Sequence, residues 1–125
     1  MSVAILRQGD QLIAMVQTDL SDREILELRD ELAERVGSSR VRGVVIDVSA
    51  LDVIDSFVAR SLQSINETLR LRGATTVIVG IQPEVAFAMV QLGMNFEDVH
   101  TALDLEEGLA FLQQQLNGET DAGGG

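Results

Sequence analysis

Two short runs constrain this chain more than anything else in it: Gly43-Val44-Val45-Ile46-Asp47-Val48 and Thr75-Thr76-Val77-Ile78-Val79. Both are β-branched and apolar, without the polar alternation of a half-exposed strand. That pattern suits a strand covered on both faces, as in a parallel sheet. Parallel neighbours need a crossover, and the segment between the runs supplies one. Val58, Leu62, Ile65 and Leu69 recur at helical spacing from about Ser56 to Arg72, and Gly73 follows. A strand, a helix and a strand in that order close with a right-handed crossover.

The flanks extend the same scheme. Val3 to Leu6 and Gln11 to Val16 are apolar runs around Gly9-Asp10, which predicts a hairpin. Ser21-Asp22-Arg23-Glu24 has the form of a capping box, and Ile25, Leu28, Leu32 and Val36 behind it form a helical stripe. Gly37 is the predicted stop. Pro83 suits a first helical position, with Val85, Ala86, Met89 and Val90 behind it and Gly93 as the end. Phe96 to Thr101 reads as a last weak strand. Asp104-Leu105-Glu106-Glu107 is a second capping box, opening a helix through Leu109, Leu112 and Leu116. The polar, glycine-rich stretch 117–125 is expected to be disordered. The sum is one α/β domain over 1–116, a mainly parallel sheet with an N-terminal hairpin and about four helices. In such sheets function gathers at the carboxyl ends of the strands. Those ends lead into Asp47 to Asp55, Gly80 to Gln82, and the stretch after Val99.

Composition removes many functions. There is no cysteine, so disulfides, thiolate metal sites and cysteine catalysis are excluded. The net charge is −11, a surface that repels phosphate backbones and anionic lipid. The aromatics are four Phe with no Trp or Tyr, too few for stacking single-stranded bases. No nucleic acid and no membrane are therefore expected as partners. All nine basic residues are Arg, which excludes Schiff-base and P-loop lysines. No run of 18 apolar residues exists and the first residues do not form a signal peptide, which predicts a cytoplasmic protein. Glycine-rich nucleotide loops and the nucleophile elbow are absent. His100, the single histidine, reads as a surface or satisfied residue rather than a catalyst. No cofactor and no metal are expected.

Two groups of residues remain as candidates. Asp47, Asp52 and Asp55 could hold magnesium, as acids at strand ends do in phosphoacceptor receivers. Receivers also use an acidic pair after the first strand and a late lysine, and this chain has neither. The plainer reading ends a strand with Asp47 and leaves Asp52 and Asp55 as loop and cap residues. The stretch from Asp52 to Arg60 runs from a buried strand into a helix, with Asp55 or Ser56 as the N-cap. Capping alone would account for that pair. The same place suits a phosphate, because free N–H groups and the helix dipole point at it. A phosphoserine adds about −1.5 to −2 charges, which the helix terminus tolerates and Asp52 and Asp55 crowd. Arg60, one turn on, is either solvated or within reach of the phosphate.

The stretches Gly43 to Asp47, Val53-Ile54-Asp55-Ser56-Phe57-Val58-Ala59, Gly80-Ile81-Gln82-Pro83-Glu84-Val85-Ala86 and Thr101 to Leu109 resemble the STAS domains of anti-sigma-factor antagonists, the SpoIIAA-like fold. More narrowly they are similar to the short stressosome scaffolds of the RsbS type. The resemblance implies a non-enzymatic scaffold whose phosphoacceptor serine falls on Ser56. Asp52, Asp55, Phe57, Arg60, Gln82 and Glu84 would form the supporting or partner surface. It implies sequestration of a switch serine kinase of RsbT type and assembly with RsbR-type co-antagonists. It also implies resetting by an RsbX-type phosphatase, and STAS–STAS self-association. The co-antagonists carry a sensory domain ahead of the STAS domain, and the early first strand predicts none here. Val79, Gly80 and Ile81 offer no hydroxyl, so a single site is expected. The glycine-rich tail departs from the family pattern. Three other readings compete. They are a small anti-sigma-factor antagonist binding an anti-sigma kinase outside a large assembly, a magnesium enzyme, and a STAS module cut from an anion transporter.

Overall fold

The computed structural model describes residues 3–124. Five strands form one sheet in the order β1 (Ala4–Gln8), β2 (Gln11–Met15), β3 (Gly43–Asp47), β4 (Thr75–Val79), β5 (His100–Ala102). β1 runs antiparallel to β2, and every other pair is parallel. The helices are α1 (Asp22–Ser38), α2 (Ser56–Leu71), α3 (Pro83–Gln91) and α4 (Leu105–Gly124). The predicted single α/β domain, a mainly parallel sheet with an N-terminal hairpin and four helices, is the observed fold.

The unbroken apolar strands explain the layering. Val44, Ile46 and Ile78 point to one face, where they meet Leu28, Leu32, Leu62, Ile65, Leu69, Val85 and Met89 of α1, α2 and α3. Val45, Val77 and Val79 point to the other, where they meet Leu112 of α4. Each fully buried Leu or Ile contributes about 1.5–3 kcal/mol by leaving water. α4 can sit this close because residue 108 has no side chain: a Cβ there would lie 2.6 Å from Val79 Cγ1.

Both capping boxes cap, with one variation. Ser21 Oγ accepts from Glu24 N at 3.2 Å, and Ser21 N donates to Glu24 Oε1 at 3.0 Å. Asp104 Oδ1 accepts from Glu107 N at 2.9 Å, but the Glu107 carboxylate accepts from Leu103 N instead of from the cap. Three boundaries depart from expectation. Gly37 does not end α1; the helix runs to Ser38 and the left-handed residue is Arg40 at φ 56°. The stretch Phe96 to Thr101 is not one strand. Asn95 caps a 3-10 turn over Phe96–Asp98, and only His100–Ala102 pairs with β4. The helical backbone of α4 continues through 117–124, where a structureless tail was expected; residue 125 lies outside the described residues. A helix already nucleated on a packed segment extends at little further cost, even through weak formers.

Candidate functional site

β3 and β4 end level with each other, Asp47 beside Val79, so their loops leave the sheet side by side. The first loop turns at once. Asp47 Oδ1 accepts from Ser49 N at 2.9 Å and from Ser49 Oγ at 2.6 Å. Leu51 N then closes onto Val48 O at 2.9 Å, and Leu51 is buried. The second loop leans on the first. Gly80 has φ +76°, and a Cβ there would meet Ser49 Cβ at 2.8 Å. Gln82 Nε2 donates to Ser49 O at 2.9 Å, a brace across the two loops.

This frame presents the start of α2. Asp55 is the N-cap: its backbone is extended, and Oδ1 accepts from Val58 N at 2.8 Å. Of the two cap candidates the structure selects the aspartate, since its carboxylate spans the distance to the third helical N–H. Ser56 is thereby released to the first helical position. It is exposed, and its hydroxyl has no hydrogen-bond partner among the described residues. Asp52, Glu84 and Arg60 are also exposed, while Phe57 is half-buried. Val53, three residues before Ser56, is 74% exposed. A cavity of about 220 Å³ lies between this loop, with Val53 and Asp55 in its lining, and the segment Val16 to Asp22.

The sequence-predicted residues therefore divide. Asp52, Asp55, Ser56, Phe57 and Arg60 sit on or just before the first turns of α2. Glu84 lies on the neighbouring first turn of α3. Gln82 spends its amide on the backbone of Ser49 and acts as a brace more than as a free contact. Asp47 Oδ1 accepts from Ser49 and Asp55 Oδ1 from Val58 N, and no group of three metal-ligating side chains occurs among the described residues. Sequence reasoning missed Ser49 and Val53. Two signals were available: an acid two residues before a serine at a strand end, and an apolar pair, Val53-Ile54, inside a loop.

The cap can be tested by itself. Asp55→Ala is expected to destabilise the fold by about 1 kcal/mol in urea denaturation, with Asp55→Asn recovering most of it. An Ala variant as stable as the parent would show that the cap contributes nothing here.

Comparison with known proteins places these features in context. The model of the STAS domain family matches residues 2–108. The RsbT co-antagonist protein RsbRA of Bacillus subtilis is 31% identical over 98 residues, 78% of this chain and 34% of that protein. RsbRB of the same organism is 30% identical over 111 residues, 89% of this chain and 40% of that protein. The chain thus spans well under half the length of these co-antagonists. Among solved structures, a serine-to-glutamate variant of Moorella thermoacetica RsbS superposes with a TM-score of 0.85 at 32% identity, covering 94% of this chain and 99% of that one. A stressosome chain superposes with a TM-score of 0.81 at 34% identity, covering 90% and 98%. Among the described residues no helix is long and apolar enough to cross a membrane.

Proposed function

The chain belongs to the STAS domain family, and from that premise we propose that it is a non-enzymatic stressosome scaffold of the RsbS kind that holds a switch serine kinase of RsbT type until Ser56 is phosphorylated. The coarse part of this reading rests on likeness: the fold is that of RsbS-like STAS scaffolds and anti-sigma-factor antagonists. The observation that carries the finer part is the division of labour at α2. Asp55 caps the helix, and the exposed Ser56 hydroxyl has no hydrogen-bond partner among the described residues.

The chemistry follows from that position. The α2 backbone dipole accommodates a phosphate at its first residue. The partner would feel it differently. Exposed Val53 and half-buried Phe57 add apolar surface to the segment that carries Ser56, and Asp52 and Asp55 add negative charge. A phosphate set among such groups disrupts a docked interface by desolvation and by like-charge repulsion. The domain keeps its fold while its contact surface changes, which is what release of a kinase requires. RsbR-type co-antagonists are the assembly partners this reading calls for, and a phosphatase of RsbX type would remove the phosphate.

Incubation with the cognate switch kinase and Mg-ATP, followed by mass mapping, tests the reading. One phosphate on Ser56, with loss of kinase from the co-purified complex, is the expected result. No phosphate, or a phosphate elsewhere, would leave Ser56 as the ordinary first residue of a helix and the protein as a constitutive scaffold. Failure to form a large particle with a co-antagonist would favour a small antagonist acting outside such an assembly.

A further inference from the structure

β1 is an edge strand, and among the described residues no other strand pairs with its outer side. Its register with β2 pairs Gln8 with Gln11, Leu6 with Ile13 and Ala4 with Met15 around a two-residue turn. In such a hairpin the pair next to the turn exchanges both hydrogen bonds, and bonded pairs then alternate. Ile5 and Arg7 therefore turn their N–H and C=O groups outward. Natural sheets protect such edges with charge, proline, bulges or very short strands. β1 has five residues and no proline. Its single charge, Arg7, is folded back: Nε donates to Gly9 O at 2.9 Å and Nη2 to Ser39 O at 2.8 Å.

The adjoining face is also open. α4 packs over β3, β4 and β5 and shares a cluster with Ile13 of β2; among the described residues the outer part of the hairpin stays open on that side. Leu6 is 57% exposed and Met15 39%. Charge narrows the choice of occupant. The chain carries a net −11, so two copies repel wherever their acids face each other. Residues 3–9 contain no acid. The opposite edge, β5, has three residues and is bracketed by Glu97, Asp98 and Asp104.

We infer that β1 is the edge through which two copies of this chain meet, β1 against β1 in antiparallel register with Leu6 on the two-fold axis. The outward groups make that arrangement self-complementary. Ile5 of one copy exchanges bonds with Arg7 of the other, about four backbone bonds in all, and Leu6 faces Leu6 as a non-bonded pair. The Arg7 side chain lies on the opposite face from Leu6 and keeps its own partners. One such contact is small, so it is weak alone and gains strength when many copies are joined. This inference rests on the scaffold reading and specifies its self-association surface.

The absence of cysteine makes the test clean. Leu6→Cys introduces one thiol, and a non-bonded antiparallel pair holds Cα atoms about 4.5 Å apart, within disulfide reach. Mild oxidation is expected to cross-link Leu6→Cys at least tenfold faster than Leu103→Cys, which follows the other edge and is 82% exposed. Leu6→Lys is expected to weaken self-association at least tenfold by sedimentation, with unchanged circular dichroism. Equal cross-linking at both positions, or a Leu6→Lys variant that associates like the parent, would overturn the edge assignment and leave the scaffold standing. A parent protein that self-associates neither alone nor with a co-antagonist would overturn the scaffold reading and the edge with it.

Discussion

Ser56→Ala is expected to hold the switch kinase through the addition of ATP, with release reduced at least tenfold against the parent in a pull-down time course. The structure makes this variant informative. Asp55 Oδ1 already caps α2, and Ser56 makes no hydrogen bond among the described residues. Alanine at the first helical position should therefore change stability by no more than about 0.5 kcal/mol. Loss of release would then report the missing phosphate and not a damaged helix. Ser56→Glu carries one charge where a phosphoserine carries about −1.5 to −2, so it should weaken kinase binding only in part. An alanine variant that releases the kinase as the parent does would remove Ser56 from the mechanism.

Gly80→Ala is expected to cost about 2–4 kcal/mol, combining a left-handed backbone with overpacking. The backbone there is at φ +76°, and the new methyl would meet Ser49 Cβ at 2.8 Å and Ser49 backbone atoms at 3.2 Å. Ser49 cannot yield freely, because Asp47 holds its N–H and hydroxyl and Gln82 holds its carbonyl. The melting temperature should fall by on the order of 10 °C. Gly73→Ala is the control. Its φ is +92° but nothing lies within 4 Å of a Cβ there, so it should show the backbone cost alone. Equal losses at the two positions would mean that the loops do not press on each other. The larger loss at Gly80 should also weaken kinase binding, since the loop that moves is the one leading into Ser56.

The parts of this fold that were legible in the sequence are those where a local rule and the tertiary structure agree. Val44 to Asp47 and Thr75 to Val79 read as doubly covered strands because they are. Ser21 and Asp104 read as caps because side chains so close in sequence need no distant partner. The site was legible to the same depth: the Asp55-Ser56 pair announced a helix start at the carboxyl end of a strand. Which of the two would cap was not readable, since both residue types cap well and the choice turns on one backbone angle. The brace from Gln82 to Ser49 joins loops 33 residues apart and leaves no local trace. Gly37 is not the helix end: the chain continues to Ser38 and places its left-handed residue at Arg40. Asn95 broke the expected last strand because its side chain caps a short turn, an option that apolar content alone does not reveal.

The placement of α4 on one face, with α1, α2 and α3 on the other, divides the molecule into two compartments with the backbone of β3 and β4 as the partition. Leu112 and Leu62 are both fully buried, and among the described residues they belong to two separate apolar clusters. Truncations at such separated sites add within about 0.3–0.5 kcal/mol, so the double variant Leu62→Ala with Leu112→Ala should lose the sum of the single losses. A departure of more than about 1 kcal/mol would show that the partition transmits strain. If it holds, the α4 side can drift, or acquire a new neighbour, without retuning the face that carries Ser56.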